Sequence, residues 1–508
     1  MIDGRYITAF LTVLLLSGCL TVGPDYHRPA TDVPESWPGA KTESPVPMRW
    51  WTAYGDPVLD AMVEEAVVHN ADLALAIARV DEARAQLGMA RADQWPGVSI
   101  DSGASRKRIS EHSPAFIPGV ESRYSTVRAA LIASWEIDIW GKYRRATEAA
   151  RAELLASEST RDAVRLALVA EVARGYFALR ALDAQVAVTK QTVATRLETL
   201  ALQQKRFDAG VASELDLRQV EGEAAQAEAL LPALEEQLSR QETALSVLLG
   251  RSPRAIVGEP PGRGAAIEAL AVPPVVPAGL PSDLLERRPD LREAEQRLVA
   301  ANARIGVAKA AYFPSISLTG LLGGESNTLT NLLLPESRIW AISGSAAQLV
   351  FDAGRTGSQV NAARAGQRQA LAQYQLAIQH AFKDIMDALV VQRKARERLE
   401  AEQRRVVALQ KAYDLARLRY DSGVASQLDV LDAERGLLDA QLNRIDAQRV
   451  QLAATADLYK ALGGGWEGSH VHVQAAQTAQ AVQAPESTDA TDATDATRAV
   501  QTGESVKR

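Results

Sequence analysis

What the sequence has little of narrows it first. A single cysteine in 508 residues leaves no partner for an intrachain disulfide and excludes a cysteine-based zinc site. Six histidines occur without metal-ligand spacing, and there is no Gly-rich phosphate loop and no nucleophile elbow. No constellation therefore supports an enzyme, a cofactor or a bound metal. With a net charge of −7, nothing calls for a nucleic-acid partner. Aromatic residues make up only 5%, while Ala, Leu, Gln, Arg and Glu, all strong helix formers, abound. Proline is missing from Lys142 to about Phe207. What is there is ample for a large core, since 47% of the residues are hydrophobic.

The lone cysteine sits behind a short apolar run. Residues 7 to 18 read ITAFLTVLLLSG, too short to span a bilayer but the right length for a signal h-region. LSGC, Leu16 to Cys19, resembles a bacterial lipobox, in which cleavage precedes a lipidated cysteine. The n-region is weak, with Arg5 partly offset by Asp3. The following residue, Leu20, is not the Asp that retains lipoproteins at the inner membrane. Residues 1–18 are thus expected to be a signal peptide, and Cys19 a lipidation site that anchors the chain in the outer membrane.

The chain repeats itself. RFDAGVASELDL at 206–217 returns as RYDSGVASQLDV at 419–430. The register holds at offset 213 over 141–250 and 354–463, pairing Gly141 with Gly354 and Gly250 with Gly463. Upstream the offset is 218, pairing Asp72 with Asp290, Gly88 with Gly306 and Pro96 with Pro314. Two halves follow, 57–250 and 283–465, joined by a linker at 251–282 and preceded by an extended segment at 19–56.

Both halves have one internal order. Residues 57–94 and 283–311 read as helix, stopped by QWP and YFP, because proline disfavours helix in the residue before it. Alternation follows: Val98 and Ile100 oppose Ser99 and Asp101, and Ile316 and Leu318 oppose Ser315, Ser317 and Thr319. After turn-rich loops at 110–122 and 325–337, second strands return, the first clean over 126–138, the second less so over 338–352. Hairpins are expected at 97–138 and 315–352. Trp95, Trp135, Trp140, Phe313 and Phe351 fall at their helix end, and Phe116, Tyr124 and Trp340 towards the loop end. Aromatic girdles at both rims suit a transmembrane barrel. Four strands cannot close one, since the smallest known have eight, so several chains must share it.

The rest of each half is helix. The proline-free stretch from Lys142 would run on the order of 100 Å. The next helix carries a 3–4 seam from Leu217 and Val220 through Leu245 and Leu248, which Pro232 is expected to kink. Its counterpart is Leu428, Leu431, Arg435, Leu438, Leu442, Ile445, Arg449 and Leu452. The duplicated motif is the tip between the long helices. Gly210 and Gly423 are expected in the left-handed conformation, and Ser213 and Ser426 as N-caps. Glu214, Asp216 and Asp429 then sit in the first turn, where the helix dipole favours them. Gene duplication alone explains two tips. It does not explain why similar chemistry persists at a solvent-exposed end, so Gly210, Val211, Ala212, Ser213, Gly423, Val424, Ala425 and Ser426 are candidate contact residues.

The lipobox, the start CLTVGPDYHRP, the duplicated halves and the R-Y/F-x-x-G-x-x-x-x-L-D tips resemble the outer membrane factor family. These are TolC-like efflux channels, specifically the NodT-type lipoprotein branch, and the likeness covers essentially residues 19 to 465. The resemblance implies a mostly α fold with a transmembrane β-barrel. Three chains would supply four strands each to a twelve-stranded barrel on an α-helical periplasmic tunnel. It implies a homotrimer in the outer-membrane lipid, docked by its tips on a periplasmic adaptor joined to an inner-membrane RND-type pump. On the family's pattern, Asp429 and Asp432 are inward-facing gate acids, Asp216 a gate-bonding residue and Tyr420 a constraining tyrosine. One departure is Ala425, where a known member has an arginine, so the latch network does not carry over whole. The tail 466–508, with STDATDATDATRAV, is low-complexity and expected to be disordered. His470 and His472 there are read as incidental. The rival readings are the exit duct of another tripartite export system and a non-conducting coiled-coil scaffold.

Overall fold

In a computed structural model, residues 21–34, 47–114, 116–119, 121–273 and 284–465 are described. Cys19, the expected signal segment and the tail lie outside them. The first half opens with helices α1 (Pro57–His69) and α2 (Ala71–Ala92), strands β1 (Gly97–Arg108) and β2 (Arg123–Ile137), then helices α3 (Lys142–Asp208) and α4 (Glu214–Leu248). Short helices α5 (Pro253–Gly258) and α6 (Leu284–Arg287) flank the connection. The second half runs α7 (Pro289–Ala310), β3 (Ser315–Ser326), β4 (Arg338–Ala347), α8 (Arg355–Asp421) and α9 (Gln427–Ala461). Both long helices have 67 residues and both return helices have 35, all at offset 213.

Two sequence expectations need correction here. The opening helix of each half is broken, at Asn70 and at Arg288, which are equivalent at offset 218. Both residues are extended, with ψ of 130° and 121°. Pro289 forbids helix at Arg288, whereas Asn70 turns its side chain to cap α2 through Leu73 N–H at 3.0 Å. The fourth strand ends at Ala347, not 352.

The four strands form one antiparallel sheet in the order β1-β2-β3-β4, with β1 and β4 as edges. Directly opposed residues share a face. Ile100, Leu131, Leu322 and Trp340 thus line up across all four strands on one side. Not all the aromatics are rim residues. Trp140 stacks on Phe313 at 4.7 Å, and its indole N–H donates to Pro314 O. Trp135 donates to Gln94 O. These contacts fasten the sheet to the helices, with Trp135 and Trp140 half-buried, whereas Trp95, Trp340 and Phe351 are exposed.

The main core lies where α1, the middle of α3, α7, α8 and the end of α9 converge. A 3-10 turn at Trp50–Tyr54 plugs it. Trp50 stacks on Tyr459 at 5.0 Å, and the Tyr54 hydroxyl donates to Leu452 O at 3.0 Å. The extended segment after residue 20 straps α3 to α7. Val22 N–H donates to Trp140 O, Arg145 pairs with Asp25, and Arg28 pairs with Glu295. Gly23, at φ +115°, crosses Gly306 so closely that a Cβ on Gly23 would sit 2.6 Å from the Gly306 Cα. No helix among the described residues is long and apolar enough to cross a membrane.

Candidate functional site

The two tips are near copies built by local chemistry. Gly210 and Gly423 both adopt φ +74°, a conformation that a Cβ opposes. Their N–H groups donate to Phe207 O and Tyr420 O, and the next residues, Val211 and Val424, donate to Arg206 O and Arg419 O. Ser213 Oγ then accepts from Asp216 N–H at 3.1 Å, and Ser426 Oγ from Asp429 N–H at 3.3 Å. Only the second tip has a complete capping box, because the Asp429 carboxylate also accepts from Ser426 N–H at 2.9 Å. These bonds hold the Asp429 carboxyl below its ordinary value, the backbone N–H of Ser426 contributing most. Asp216 is likewise engaged by its own cap, with Ser213 Oγ donating to it at 2.8 Å. Neither Asp meets Tyr420.

The Tyr420 hydroxyl instead accepts from Gln203 at 3.0 Å and from Arg206 at 2.8 Å. Gln203 is buried and also donates to Gln427 at 3.1 Å. The end of α3 is thereby tied to the end of α8 and the start of α9, joining the two hairpins within one chain. Asp432 is exposed, with Arg435 at 3.9 Å as its ionic neighbour. Asp429 and Asp432 share an open groove with Leu409 and Ala416 of α8 and Gly436 and Leu438 of α9.

A buried charge network underlies the tips. Arg196 of α3 is 3% exposed; it donates to Glu223 O at 2.6 Å and pairs with Glu434 of α9 at 3.3 Å. Arg435 bonds the Glu223 carboxylate from the other side. Burial raises the Glu434 carboxyl, and Arg196 offsets part of that. The sequence reading missed Gln203, Arg206, Arg196, Glu223 and Glu434. One signal was available. At offset 213 Arg196, Gln203 and Glu223 face Leu409, Ala416 and Gly436, so the halves diverge where polar groups are buried in one and small or apolar residues line the groove in the other.

The second seam is only part of what helix α9 buries. Leu428 is 52% exposed, and Arg435 is exposed too, while Gln427, Val430, Leu437 and Ala440 are buried beside Leu431, Ile445 and Leu452. Helix α9 packs on α3 as well as on α8, so it buries two stripes. The duplicated motif leaves four apolar side chains outside at equivalent places: Val211 at 75% and Leu215 at 67% exposure, Val424 at 65%, and Leu428.

The sequence profile described as "Outer membrane efflux protein" matches residues 62–251 and 280–464, one match per half. The chain is 35% identical over 465 residues to the toluene efflux pump outer membrane protein TtgC of Pseudomonas putida, covering 90% of this chain and 94% of that protein. It is 32% identical over 461 residues to the probable outer membrane lipoprotein SilC of Salmonella typhimurium, covering 90% and 97%. The crystal structure of the Campylobacter jejuni CmeC outer membrane channel superposes with a TM-score of 0.85 at 27% identity, covering 90% of this chain and 98% of that one. With the duplicated hairpins, the four-stranded sheet and these likenesses together, the chain belongs to the outer membrane efflux protein family.

Proposed function

We propose that this chain is the outer-membrane channel of a tripartite efflux system and performs no chemistry on what it passes. The observation that carries the reading is the sheet. It has one face without charge except at its loop end and two unpaired edges, and it joins helices of 67 residues, on the order of 100 Å long. Unpaired edges in a bilayer leave backbone groups unsatisfied, so the sheet needs partners. Three copies closing a twelve-stranded barrel satisfy every edge. The helices then form a periplasmic tunnel, and loops 110–122 and 325–337 face the exterior.

The exposed Val211, Leu215, Val424 and Leu428 suit docking on a periplasmic adaptor, which in turn joins an inner-membrane RND-type pump. Gly210, Ala212, Ser213, Gly423, Ala425 and Ser426 set the backbone that presents them. Asp429 and Asp432, exposed beside the groove, are proposed as the acidic ring of the periplasmic gate, with Asp216 and Tyr420 restraining it. Cys19 is proposed as the lipid anchor, a reading supported by the lipoprotein name of the SilC relative. Single-channel recording in asymmetric salt tests the whole. Wild type should conduct and prefer cations. Asp429→Ala with Asp432→Ala should weaken that preference and the block by multivalent cations. A purified, assembled protein that does not conduct refutes the channel.

A further inference from the structure

The apolar face of the sheet carries charge at one end only. On this face, the partners fixed by register are Val98 with Ala133, Ile100 with Leu131, Arg106 with Ser125 and Arg108 with Arg123. Arg338, opposite Gly324, opens β4 on the same side. Every charged residue of the face is therefore an arginine, all four lie at the loop end, and no carboxylate shares the face. The opposite face differs, mixing Asp101 and Glu136 with Lys107 and Arg128. Arg106, Arg108, Arg123 and Arg338 are all exposed. Arg108 has Glu111 at 3.9 Å, a loose exposed pair, and the other three have no ion pair among the described residues.

This arrangement is unfavourable as it stands. Like charges directly opposite on neighbouring strands repel. An anion between Arg108 and Arg123 would reverse the sign of the interaction, and guanidinium groups match phosphate oxygens in bidentate geometry. The height also fits. At about 3.4 Å per residue and a tilt of about 40°, Arg106 stands roughly 23 Å above Gly97, the outer edge of a barrel's ~25 Å apolar band. There the outer leaflet presents its headgroup phosphates.

We propose that Arg106, Arg108, Arg123 and Arg338 form a phosphate-binding rim for the phosphorylated glycolipid of the outer leaflet. The rim rests on the channel reading, which places this face in lipid and the loops outside. It fixes the height of the barrel in the membrane and takes from lipid the charge compensation that protein carboxylates supply only loosely, at Arg108.

The test is native mass spectrometry of the full-length protein in detergent. It is titrated with bis-phosphorylated lipid A, with fully dephosphorylated lipid A and with phosphatidylglycerol. Wild type should bind the bis-phosphorylated form at least tenfold more tightly than either other lipid. Removing three arginines together, R106Q, R108Q and R123Q, should weaken that binding roughly a hundredfold, at about fivefold per charge. The corresponding Arg→Lys triple variant should recover part of the loss. Equal wild-type binding of phosphorylated and dephosphorylated lipid A overturns the rim, and that comparison needs no variant to fold. Equal binding of phosphatidylglycerol overturns the choice of glycolipid, and an unchanged Gln variant overturns the residues. Conductance is recorded on the same samples. A conducting wild type without phosphate preference sinks the rim alone, whereas an assembled wild type that does not conduct sinks the channel reading and the rim with it.

Discussion

Tyr420→Phe is the sharpest perturbation of the proposed gate. It removes one oxygen and nothing else. That oxygen accepts from Gln203 at 3.0 Å and from Arg206 at 2.8 Å, the first buried and the second half-buried. A neutral hydrogen bond contributes about 0.5–1.5 kcal/mol net, and one to a charged donor about 1.5–3. Gln203 keeps its bond to Gln427 and Arg206 can turn to water, so the low end applies, about 2 kcal/mol per chain. Three independent copies would lose about 6 kcal/mol of closure. Shifting a two-state equilibrium from 1:99 to 99:1 needs about 5.5 kcal/mol, so a resting channel that conducts weakly through its constricted tip should become predominantly open. Planar-bilayer recording of resting conductance reads this directly. Arg206→Met should reproduce part of the effect, and the double variant should fall short of the sum because both act on one hydroxyl. Resting conductance and closed dwell times unchanged in an assembled Tyr420→Phe protein would refute the assignment of this bond as a restraint on opening.

Gly210→Val with Gly423→Val should leave assembly intact but reduce adaptor binding in pull-down and efflux in cells. The φ of +74° costs a β-branched residue about 1–2 kcal/mol per site, and an added Cβ meets nothing within 4 Å, so the strain stays in the backbone. Wild-type efflux would show that the tips are only connectors. Arg196→Met should destabilise the bundle by about 3–5 kcal/mol, because it strands the half-buried Glu434 carboxylate and leaves Glu223 with Arg435 alone. Glu434 is already raised by burial, and losing Arg196 raises it further. A raised carboxyl favours the folded state below its unfolded value near 4.5, and that contribution is lost as pH climbs through the folded value. Melting temperature should therefore fall more steeply in the variant than in wild type as pH rises above 4.5; parallel curves would contradict the network. Cys19→Ala should abolish acylation, read by intact mass, and an acylated product of normal size would exclude the lipobox.

Much of this architecture was legible in sequence. The 213-residue register, the lack of proline after Lys142 and the Gly-x-x-Ser tips account for paired 67- and 35-residue helices and their turns. Glycine at positive φ, serine caps and proline stops act through neighbouring backbone atoms, so a short string is enough to read them. Alternation likewise revealed the apolar face of the sheet, because strand geometry leaves each side chain only two sides. What escaped was set across the chain. Pro289 broke a helix visibly in sequence, whereas Asn70 combines its local cap on Leu73 with an amide bond to Leu248 O, 178 residues away, at 2.9 Å. The seam of α9 was incomplete because a single periodicity cannot report two neighbours, and α3 claims a second stripe. Tyr420 was singled out, yet its partners could not be: Gln203 and Arg206 come within bonding distance only when the two hairpins pack side by side. Sequence by itself determined the elements, their caps and their duplication, since those depend on contacts a few residues apart. Tertiary structure decided which polar groups are buried together, because helices some 200 residues apart in the chain must first pack before Arg196 can meet Glu434.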